Sequence, residues 1–227
     1  MTTKNGRPVR ALLMDLDGTL VDSKMDLVTS VNVMLRKMSR APLPIDLVAS
    51  YVGHGAPKLI ASALGPQATE SEREAGLQLF LEHYQTHKLD ATRAYPGVPE
   101  ALAALAGCPM AVLTNKPAKM SVDILQGLGL ADYFRSIRGG DSFERKKPDP
   151  AGALSILREL DITPQDSAMV GDSDVDIQTA RNAGMLAIGV KYGFGRHDPN
   201  LHPADIYVDS LTELVALTKD WRQQETA

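Results

Sequence analysis

The chain has 227 residues, 44% of them hydrophobic and 23% charged, with a formal net charge of −4 at pH 7. This composition is typical of a globular protein with one large domain or two unequal ones, and its acidic balance gives no electrostatic reason to expect a nucleic-acid partner. No apolar run approaches the length of a membrane span, so we expect no membrane partner.

The single cysteine, Cys108, excludes an internal disulfide framework and is typical of a protein in a reducing compartment. The polar first residues do not resemble a signal peptide. We therefore expect a cytoplasmic protein. A monomer and a homodimer are both compatible with the sequence.

The first predicted strand is the mostly apolar run at residues 9–14, whose pattern is typical of a strand buried on both faces. Asp15 and Asp17 follow it, at the strand end where open α/β sheets bind their ligands. Because residues two apart in an extended chain point to the same side, these two carboxylates can share one site. They would repel each other unless a cation or a proton lies between them. The alternative is an ordinary turn, with Asp17 and Gly18 as turn residues.

Residues 22–93 are predicted to be helical, with no convincing strand, and the first helix carries apolar residues at helix spacing. The helices are expected at residues 26–38, 45–52, 57–64 and 71–87. A block of helices inserted directly after the first strand predicts a separate helical domain. We place the domain boundaries so that a core contains residues 1–21 and 96–227 and a helical cap contains residues 22–95.

From residue 96 onward, predicted strands and helices alternate. Strands are expected at residues 110–113, 134–138, 168–170, 185–190 and 206–208. Helices are expected at residues 99–105, 118–128, 151–160, 175–183 and 211–217. Such repeated β–α units predict an α/β fold with a parallel sheet and helices on both of its faces.

Two loops in this second part contain residues suited to bind an anion. Thr114 and Asn115 lie between a predicted strand and a helix, where a hydroxyl and free backbone amides form an anion site. The alternative is that Thr114 only caps the helix. In the second loop, Pro148 restricts the backbone of Lys147, so the lysine side chain has a defined direction. The neighbouring Lys146 is interpreted as part of a solvated loop.

A later strand end supplies two more carboxylates. Asp172 and Asp176 lie about one helical turn apart after the strand at residues 168–170, so they can face the same way. Asp174, between them, is interpreted as N-terminal helix capping. Strand-end aspartates, a strand-end threonine and a lysine fixed by proline together fit one mechanism.

In this order, the four segments resemble the motifs of the haloacid dehalogenase superfamily of phosphotransferases. Asp15-Leu16-Asp17-Gly18-Thr19 matches the first motif, Thr114 the second, Lys147 the third, and Gly171-Asp172 with Asp176 the fourth. The resemblance spans the whole chain. It implies a Rossmann-like core, that is, a doubly wound parallel sheet, with an all-helical cap inserted just after the first motif.

The resemblance also implies the roles of these residues. Asp15 would attack phosphorus to form an aspartyl-phosphate, and Asp17 would protonate the leaving alcohol and then activate water. The cofactor would be Mg²⁺, held by the side chains of Asp15 and Asp172 and by the carbonyl of Asp17. Asp176 would support this metal site. The phosphate group would be bound by Gly18, Thr114, Asn115 and Lys147.

Differences within the superfamily narrow the reaction to hydrolysis of phosphate monoesters. Dehalogenases do not need the second aspartate, here Asp17, and phosphonate hydrolases lack it. Hexose-phosphate mutases carry a histidine early in the cap, which residues 22–40 do not contain. The greatest similarity is to the phosphoglycolate phosphatase family, through residues 15–23, 51–56, 95–98, 114–117 and 171–173. Pyrophosphate, sugar phosphates and amino-sugar phosphates are alternative substrates, and a mutase or a non-catalytic metabolite sensor is an alternative function.

The loop around Gly53-His54-Gly55 is the predicted specificity element of the cap. Its glycines leave backbone amides unshielded, and a helix begins there at Pro57, so a small carboxylate could bind. We therefore expect the carboxylate of 2-phosphoglycolate to be bound by Gly53, His54, Gly55 and Lys58. The expected partner is thus a small phosphorylated metabolite.

Overall fold

The computed structural model describes residues 9–215. Its strands are β1 Ala11–Met14, β2 Val21–Asp22, β3 Arg93–Ala94, β4 Met110–Leu113, β5 Ser136–Arg138, β6 Ser167–Gly171, β7 Leu186–Val190 and β8 Ile206–Val208. Six of them form a parallel sheet in the order β5-β4-β1-β6-β7-β8. The first strand of the chain is therefore in the middle of the sheet, between β4 and β6.

The helices lie where the sequence predicts them. They are α1 Lys24–Lys37, α2 Ile45–Ala49, α3 Ala56–Leu64, α4 Glu70–His87, α5 Val98–Ala104, α6 Ala118–Gly127, α7 Ala151–Glu159 and α8 Asp174–Ala183. The last predicted helix is present over residues 212–215, and its residues 216 and 217 lie outside the described residues. None of the helices in residues 9–215 combines the length and the apolar character that a membrane crossing requires.

Both faces of the parallel sheet are buried, because successive side chains enter opposite hydrophobic clusters. On β1, Leu12 and Met14 belong to the cluster that includes side chains of α5 and α6. Ala11 and Leu13 belong to the cluster that includes side chains of α7 and α8. Helices thus cover both faces, which confirms the predicted doubly wound α/β fold.

Helices α1 to α4 pack around a hydrophobic cluster of their own. Its buried members include Leu27, Val31, Met34, Leu59, Ile60, Phe80 and Tyr84. From outside this helical block, Met120 at the start of α6 and the partly buried Phe194 also reach the cluster. The block therefore lies against the carboxyl edge of the sheet through a few apolar side chains.

A short antiparallel ribbon connects the helical block to the sheet. The chain enters the block through β2 and leaves it through β3, with Val21 paired to Ala94 and Asp22 paired to Arg93. The prediction of no strand in residues 22–93 is wrong at its two ends, because two-residue strands carry no alternating pattern. We keep the division between a cap of residues 22–95 and a core as a proposal, supported by this ribbon and by the separate cluster.

Asp26 joins the beginning of the helical block to its end. Its carboxylate, in the first turn of α1, is only 4% exposed. It accepts hydrogen bonds from the amides of Ala91 and Thr92 and from the Thr92 hydroxyl, at 2.7–3.1 Å. These bonds hold the returning chain beside α1 and fix the direction in which it enters β3.

Asp26→Ala is expected to lower the free energy of unfolding by about 2 kcal/mol, because two donors of the fully buried Thr92 lose their acceptor. Asp26→Asn keeps one acceptor oxygen and is expected to cost about half as much. Urea unfolding followed by circular dichroism measures both, with Asp46→Asn, at an exposed acid on α2, as the charge control. An Asp26→Ala protein as stable as the control would contradict this role.

Candidate active site

The loops after three adjacent strands meet at the carboxyl edge of the sheet. β1 leads into Asp15, β4 into Thr114 and β6 into Asp172. Because these strands are parallel neighbours, their ends lie side by side. The amide of Asp15 donates to the carbonyl of Val170 at 2.9 Å, which continues the β1–β6 ladder to the site. All three side chains are buried, and all three line one cavity.

Asp15, Asp172 and Asp176 form a buried acidic cluster. One carboxylate oxygen of each residue lies within 4.8 Å of the others. Asp176 is oriented by the first residues of α8, since its Oδ2 accepts hydrogen bonds from the amide of Ser173 at 3.1 Å and from the Ser173 hydroxyl at 2.6 Å. Its Oδ1 remains directed toward the other acids and toward Lys147.

Lys147 is the cation paired with the acidic cluster. Its Nζ lies 3.0 Å from Oδ1 of Asp15 and 2.6 Å from Oδ1 of Asp176. The lysine side chain is 1% exposed, so solvent screens these ion pairs very little. The sequence prediction that the segment before Pro148 gives this lysine a defined direction agrees with its position between two carboxylates.

The charges of the cluster do not balance within the protein. Three carboxylates face a single ammonium group, and an unpaired buried carboxylate is costly. Burial raises the pKa of Asp15 to about 6, although Lys147 acts in the opposite direction. Burial also raises the pKa of Asp172 well above its usual value, with Asp176 and Asp15 adding to the effect. Burial lowers the pKa of Lys147, but the two carboxylates outweigh it and the net direction is upward.

The backbone closes around Asp172 so tightly that side chains are excluded there. Oδ2 of Asp172 accepts hydrogen bonds from the amides of Phe194 at 3.0 Å and Gly195 at 2.6 Å. A Cβ placed on Gly18 would lie 1.9 Å from this same oxygen, and one placed on Gly193 would lie 2.4 Å from it. Gly18 also has φ +81°, a conformation that glycine adopts without strain. Both loops therefore fit closely around the carboxylate of Asp172.

The acidic cluster can hold a metal ion. It offers carboxylate oxygens from three residues, which are the donors that hard divalent cations prefer. Burial is the main cause of the raised pKa of Asp15 and Asp172, and a divalent cation would offset the negative charge of these poorly solvated carboxylates. The residues present therefore fit the metal dependence that the sequence predicts.

Asp17 lies outside the acidic cluster and is paired with a different lysine. Nζ of Lys116 lies 2.9 and 3.0 Å from the two carboxylate oxygens of Asp17, and the Ser23 hydroxyl donates to the same carboxylate. The same ammonium group donates to the hydroxyl of Tyr84 on α4 at 2.7 Å and lies 4.5 Å from the centre of its ring. The contact therefore links the loop after β4 to the helical block.

The environment keeps Lys116 charged and Tyr84 neutral. Burial lowers the pKa of Lys116, but Asp17 and Tyr84 raise it more strongly, so the net shift is upward. Burial raises the pKa of Tyr84 to about 12. Neither residue is indicated by the sequence pattern, because Tyr84 has the spacing of a core residue and Lys116 has no partner nearby in the chain. Position alone, one residue after Asn115 in a strand-end loop, could have indicated Lys116.

Asn115 connects the loop after β4 to the helical block. Its amide group donates to the carbonyl of Gly53 at 2.8 Å and to the carbonyl of Lys147 at 3.0 Å. The hydroxyl of the preceding Thr114 accepts a hydrogen bond from the amide of Lys116 at 3.3 Å. The loop after β4 is therefore ordered by contacts to both the core and the helical block.

These residues surround a cavity between the sheet edge and the helical block. Predicted site residues that line it are Asp15, Asp17, Gly53, Gly55, Thr114, Asn115 and Asp172. Gly18, Lys147 and Asp176 lie directly behind this wall, in contact with Asp15 or Asp172. His54 and Lys58 are exposed and do not line the cavity, so the structure does not bring them to the predicted site. The exposed Lys146 extends toward the helical block, since its Nζ lies 3.3 Å from a Cβ placed on Gly55.

Comparison with known proteins gives one consistent result. Residues 12–190 match the model of the haloacid dehalogenase-like hydrolases. A phosphoglycolate phosphatase of Chromobacterium violaceum is 38% identical over 222 residues, which cover 95% of this chain and 99% of the relative. A phosphoglycolate phosphatase of Neisseria meningitidis is 41% identical over 196 residues, 82% of either chain. The crystal structure of a predicted phosphoglycolate phosphatase from Haemophilus somnus 129PT is 31% identical, with a TM-score of 0.87 over 92% of this chain and 98% of that one.

The fold and the site define a hydrolase with a doubly wound, Rossmann-like core, whose acidic and basic groups are arranged for transfer of a phosphate group. The chain belongs to the haloacid dehalogenase-like hydrolase family. Within that family it is an enzyme of the phosphatase class, and its substrate is a small phosphorylated molecule.

Asp172→Asn tests whether the acidic cluster is a cation site. The folded-state pKa of Asp172 lies above its unfolded value, so the ionised carboxylate destabilises the metal-free fold at pH values above both. At neutral pH, in a chelator, the variant is therefore expected to be more stable than wild type by about 1 kcal/mol. Mg²⁺ at a hundred times its Kd is expected to stabilise wild type by about 2.7 kcal/mol and the variant much less.

Chemical unfolding with chelator or with Mg²⁺ measures both effects. Asp46→Asn, which removes an exposed acid that is neither in the acidic cluster nor in the cavity lining, is expected to respond to Mg²⁺ as wild type does. Equal stabilisation of wild type and Asp172→Asn by Mg²⁺ would contradict the assignment of this cluster as the cation site.

Proposed function

We propose that the enzyme hydrolyses 2-phosphoglycolate to glycolate and inorganic phosphate, with Mg²⁺ as its cofactor and an aspartyl-phosphate at Asp15 as intermediate. The observation that carries this proposal is the buried position of the Asp15 carboxylate, which lines the cavity 3.0 Å from Lys147 and within the acidic cluster. The names of the relatives support the choice of substrate.

The first requirement is to neutralise charge, because a phosphate monoester dianion repels an anionic nucleophile. The side chains of Asp15 and Asp172 and the carbonyl of Asp17 would hold Mg²⁺, with Asp176 in support. When bound, Mg²⁺ supplies positive charge that offsets the carboxylates and polarises a phosphoryl oxygen. Lys147 supplies a second positive charge, 3.0 Å from Oδ1 of Asp15.

Asp15 then forms a bond to phosphorus through a carboxylate oxygen, while the bond between phosphorus and the ester oxygen breaks. Asp17 donates a proton to the departing glycolate oxygen. In the second step Asp17 takes a proton from a water molecule, which attacks phosphorus and releases Asp15 and inorganic phosphate. Thr114, Lys147 and the backbone amides near Gly18 and Asn115 would hold the phosphoryl oxygens during both steps.

The loop at residues 53–55 supports recognition of a carboxylate, but by fewer residues than the four that the sequence predicts. Gly53 and Gly55 line the cavity, and α3 begins beside them, so their surroundings suit a small anion. His54 and Lys58 are exposed outside the cavity. We therefore restrict this part of the proposal to the glycine backbone.

A larger leaving group is the second candidate, favoured by the apolar wall of the cavity. The side chains on that wall include Leu27, Leu59, Phe80 and Met120. Glycolate has only one methylene group to place against them, whereas a substituted sugar or amino-sugar phosphate has more surface to bury. The chemistry at Asp15 would be the same for either substrate.

We also propose that the enzyme acts in the cytoplasm, as a monomer or a homodimer, without a nucleic-acid or membrane partner. Its single cysteine suits a reducing compartment. Its net charge of −4 disfavours binding to phosphate backbones and to anionic lipid surfaces.

Variants of the two aspartates of the first motif test the mechanism. Asp15→Asn is expected to reduce kcat by about 10³-fold or more, because an amide is a poor nucleophile. Asp17→Asn is expected to retain the fold and to lose about 10²–10⁴-fold, the usual contribution of a general acid–base group. Release of inorganic phosphate from 2-phosphoglycolate with Mg²⁺ measures both. Near-wild-type turnover by Asp15→Asn, with deamidation excluded by mass spectrometry, would refute the covalent route.

A substrate panel tests the leaving group. The kcat/KM for 2-phosphoglycolate is expected to exceed the values for pyrophosphate, glucose 6-phosphate and glucosamine 6-phosphate by about tenfold or more. The same assay with glucose 1-phosphate, analysed for glucose 6-phosphate, detects mutase activity. A higher kcat/KM for an amino-sugar phosphate than for 2-phosphoglycolate would replace the proposed substrate while leaving the chemistry unchanged.

A further inference from the structure

One cationic side chain, Lys116, lines the cavity. A substrate with a carboxylate besides its phosphate group would need such a cation. Among the lining residues of the described chain, the charged side chains are Asp15, Asp17, Asp172 and Lys116. A substrate carboxylate in such an acidic cavity is costly to bury unless a cation or several donors meet it. His54, Lys58 and Lys146 are exposed and do not line the cavity. Lys116 is therefore the cationic side chain of the lining that can pair with the substrate carboxylate.

Lys116 also lies on the side of the cavity where the leaving group must be. Its Nζ is 2.9 and 3.0 Å from the carboxylate oxygens of Asp17, the group that we place next to the ester oxygen. In 2-phosphoglycolate a single methylene carbon separates that ester oxygen from the carboxylate. A cation in contact with Asp17 is therefore within reach of the substrate carboxylate without any rearrangement of the phosphate end.

Tyr84 adds a second donor at the same point. Its hydroxyl accepts a hydrogen bond from Lys116 at 2.7 Å, and a lysine ammonium cannot accept one in return. Within residues 9–215 the phenol hydrogen has no other partner, so it is available to an acceptor in the cavity. The ring is 1% exposed and stacks on Phe80 with centroids 5.4 Å apart, which fixes its position.

We propose that Lys116, positioned by Tyr84, binds the carboxylate of the substrate and thereby selects phosphate monoesters whose leaving group carries a negative charge one carbon from the ester oxygen. This inference rests on the proposed phosphatase function and names the residue that determines its specificity. Since Tyr84 belongs to the helical block and Lys116 follows β4, the recognition site exists only when the two parts of the molecule are together.

The experiment compares 2-phosphoglycolate with ethyl phosphate, which replaces the carboxylate by a methyl group. Wild type is expected to prefer 2-phosphoglycolate, and Lys116→Met is expected to reduce this preference, the ratio of the two kcat/KM values, by roughly 100-fold. Loss of the contact to Asp17 affects both substrates and therefore cancels in the ratio. Tyr84→Phe, which keeps the stacked ring, is expected to reduce the ratio by about three- to tenfold.

Two lysine variants are matched controls for charge. Lys119→Met removes a 78% exposed lysine on α6 that pairs with Asp123, and Lys58→Met removes the exposed lysine of α3. Both are expected to keep the wild-type ratio. Circular dichroism confirms that each variant is folded, and Tyr84→Phe provides the test if Lys116→Met does not fold.

The outcomes separate this inference from the function on which it rests. A wild-type enzyme without preference for 2-phosphoglycolate over ethyl phosphate would overturn the proposed substrate and this inference with it. A wild-type preference that survives unchanged in folded Lys116→Met, or in Tyr84→Phe if the lysine variant does not fold, would overturn the role of Lys116 alone. A loss of preference in Lys58→Met instead would assign recognition to the Lys58 side chain and would also overturn it.

Discussion

The structure depends on the burial of three carboxylates around one lysine. Lys147 contacts Asp15 and Asp176 at 3.0 and 2.6 Å in a place that solvent hardly reaches. Burial raises the pKa of Asp15 and of Asp172, and neighbouring carboxylates add to the effect. One ammonium group cannot neutralise all three acids. A site of this kind lowers the stability of the protein by itself and gains from binding a divalent cation. The unfavourable charge arrangement thus favours cation binding, and the bound cation together with Lys147 would then offset the charge that repels a phosphate group.

The fold supplies the conditions under which this cluster can exist. Parallel strands β1 and β6 end side by side, which places Asp15 next to Asp172, and α8 begins there with Asp176 in its first turn. Gly18 and Gly193 allow two loops to approach Asp172 more closely than any residue with a side chain could. The helical block then covers the edge of the sheet, and its contacts to Asn115 and Lys116 turn an open strand end into a cavity.

Much of this arrangement is predictable from the sequence. Apolar runs followed by Asp15, Thr114 and Asp172 indicate strand ends that carry the site, because a parallel sheet brings such ends to one edge. Helix periodicity after the first motif indicates the inserted helical block. The central position of β1 is not contained in the local pattern, since strand order depends on which crossovers the chain makes.

The parts that the sequence does not reveal depend on contacts between distant segments. Tyr84 has the spacing of a core residue on α4, and only the tertiary structure shows that its hydroxyl meets Lys116. The exposure of Lys58 could have been foreseen, because the buried face of α3 contains Leu59, Ile60 and Ala63, and Lys58 lies on the opposite side. The glycines at 53 and 55 favour anion binding by backbone amides, whereas the helix period places the Lys58 side chain away from the cavity.

The central claim is that Asp15 becomes phosphorylated during turnover, and rapid quenching tests it most directly. The enzyme is mixed with Mg²⁺ and 2-phosphoglycolate labelled in its phosphate group, stopped with acid within milliseconds, and digested for peptide mapping. We expect the label on the peptide that contains Asp15, and we expect it to disappear during a chase with unlabelled substrate. Label on another residue, or steady release of phosphate with no label on the protein at any quench time, would contradict the account.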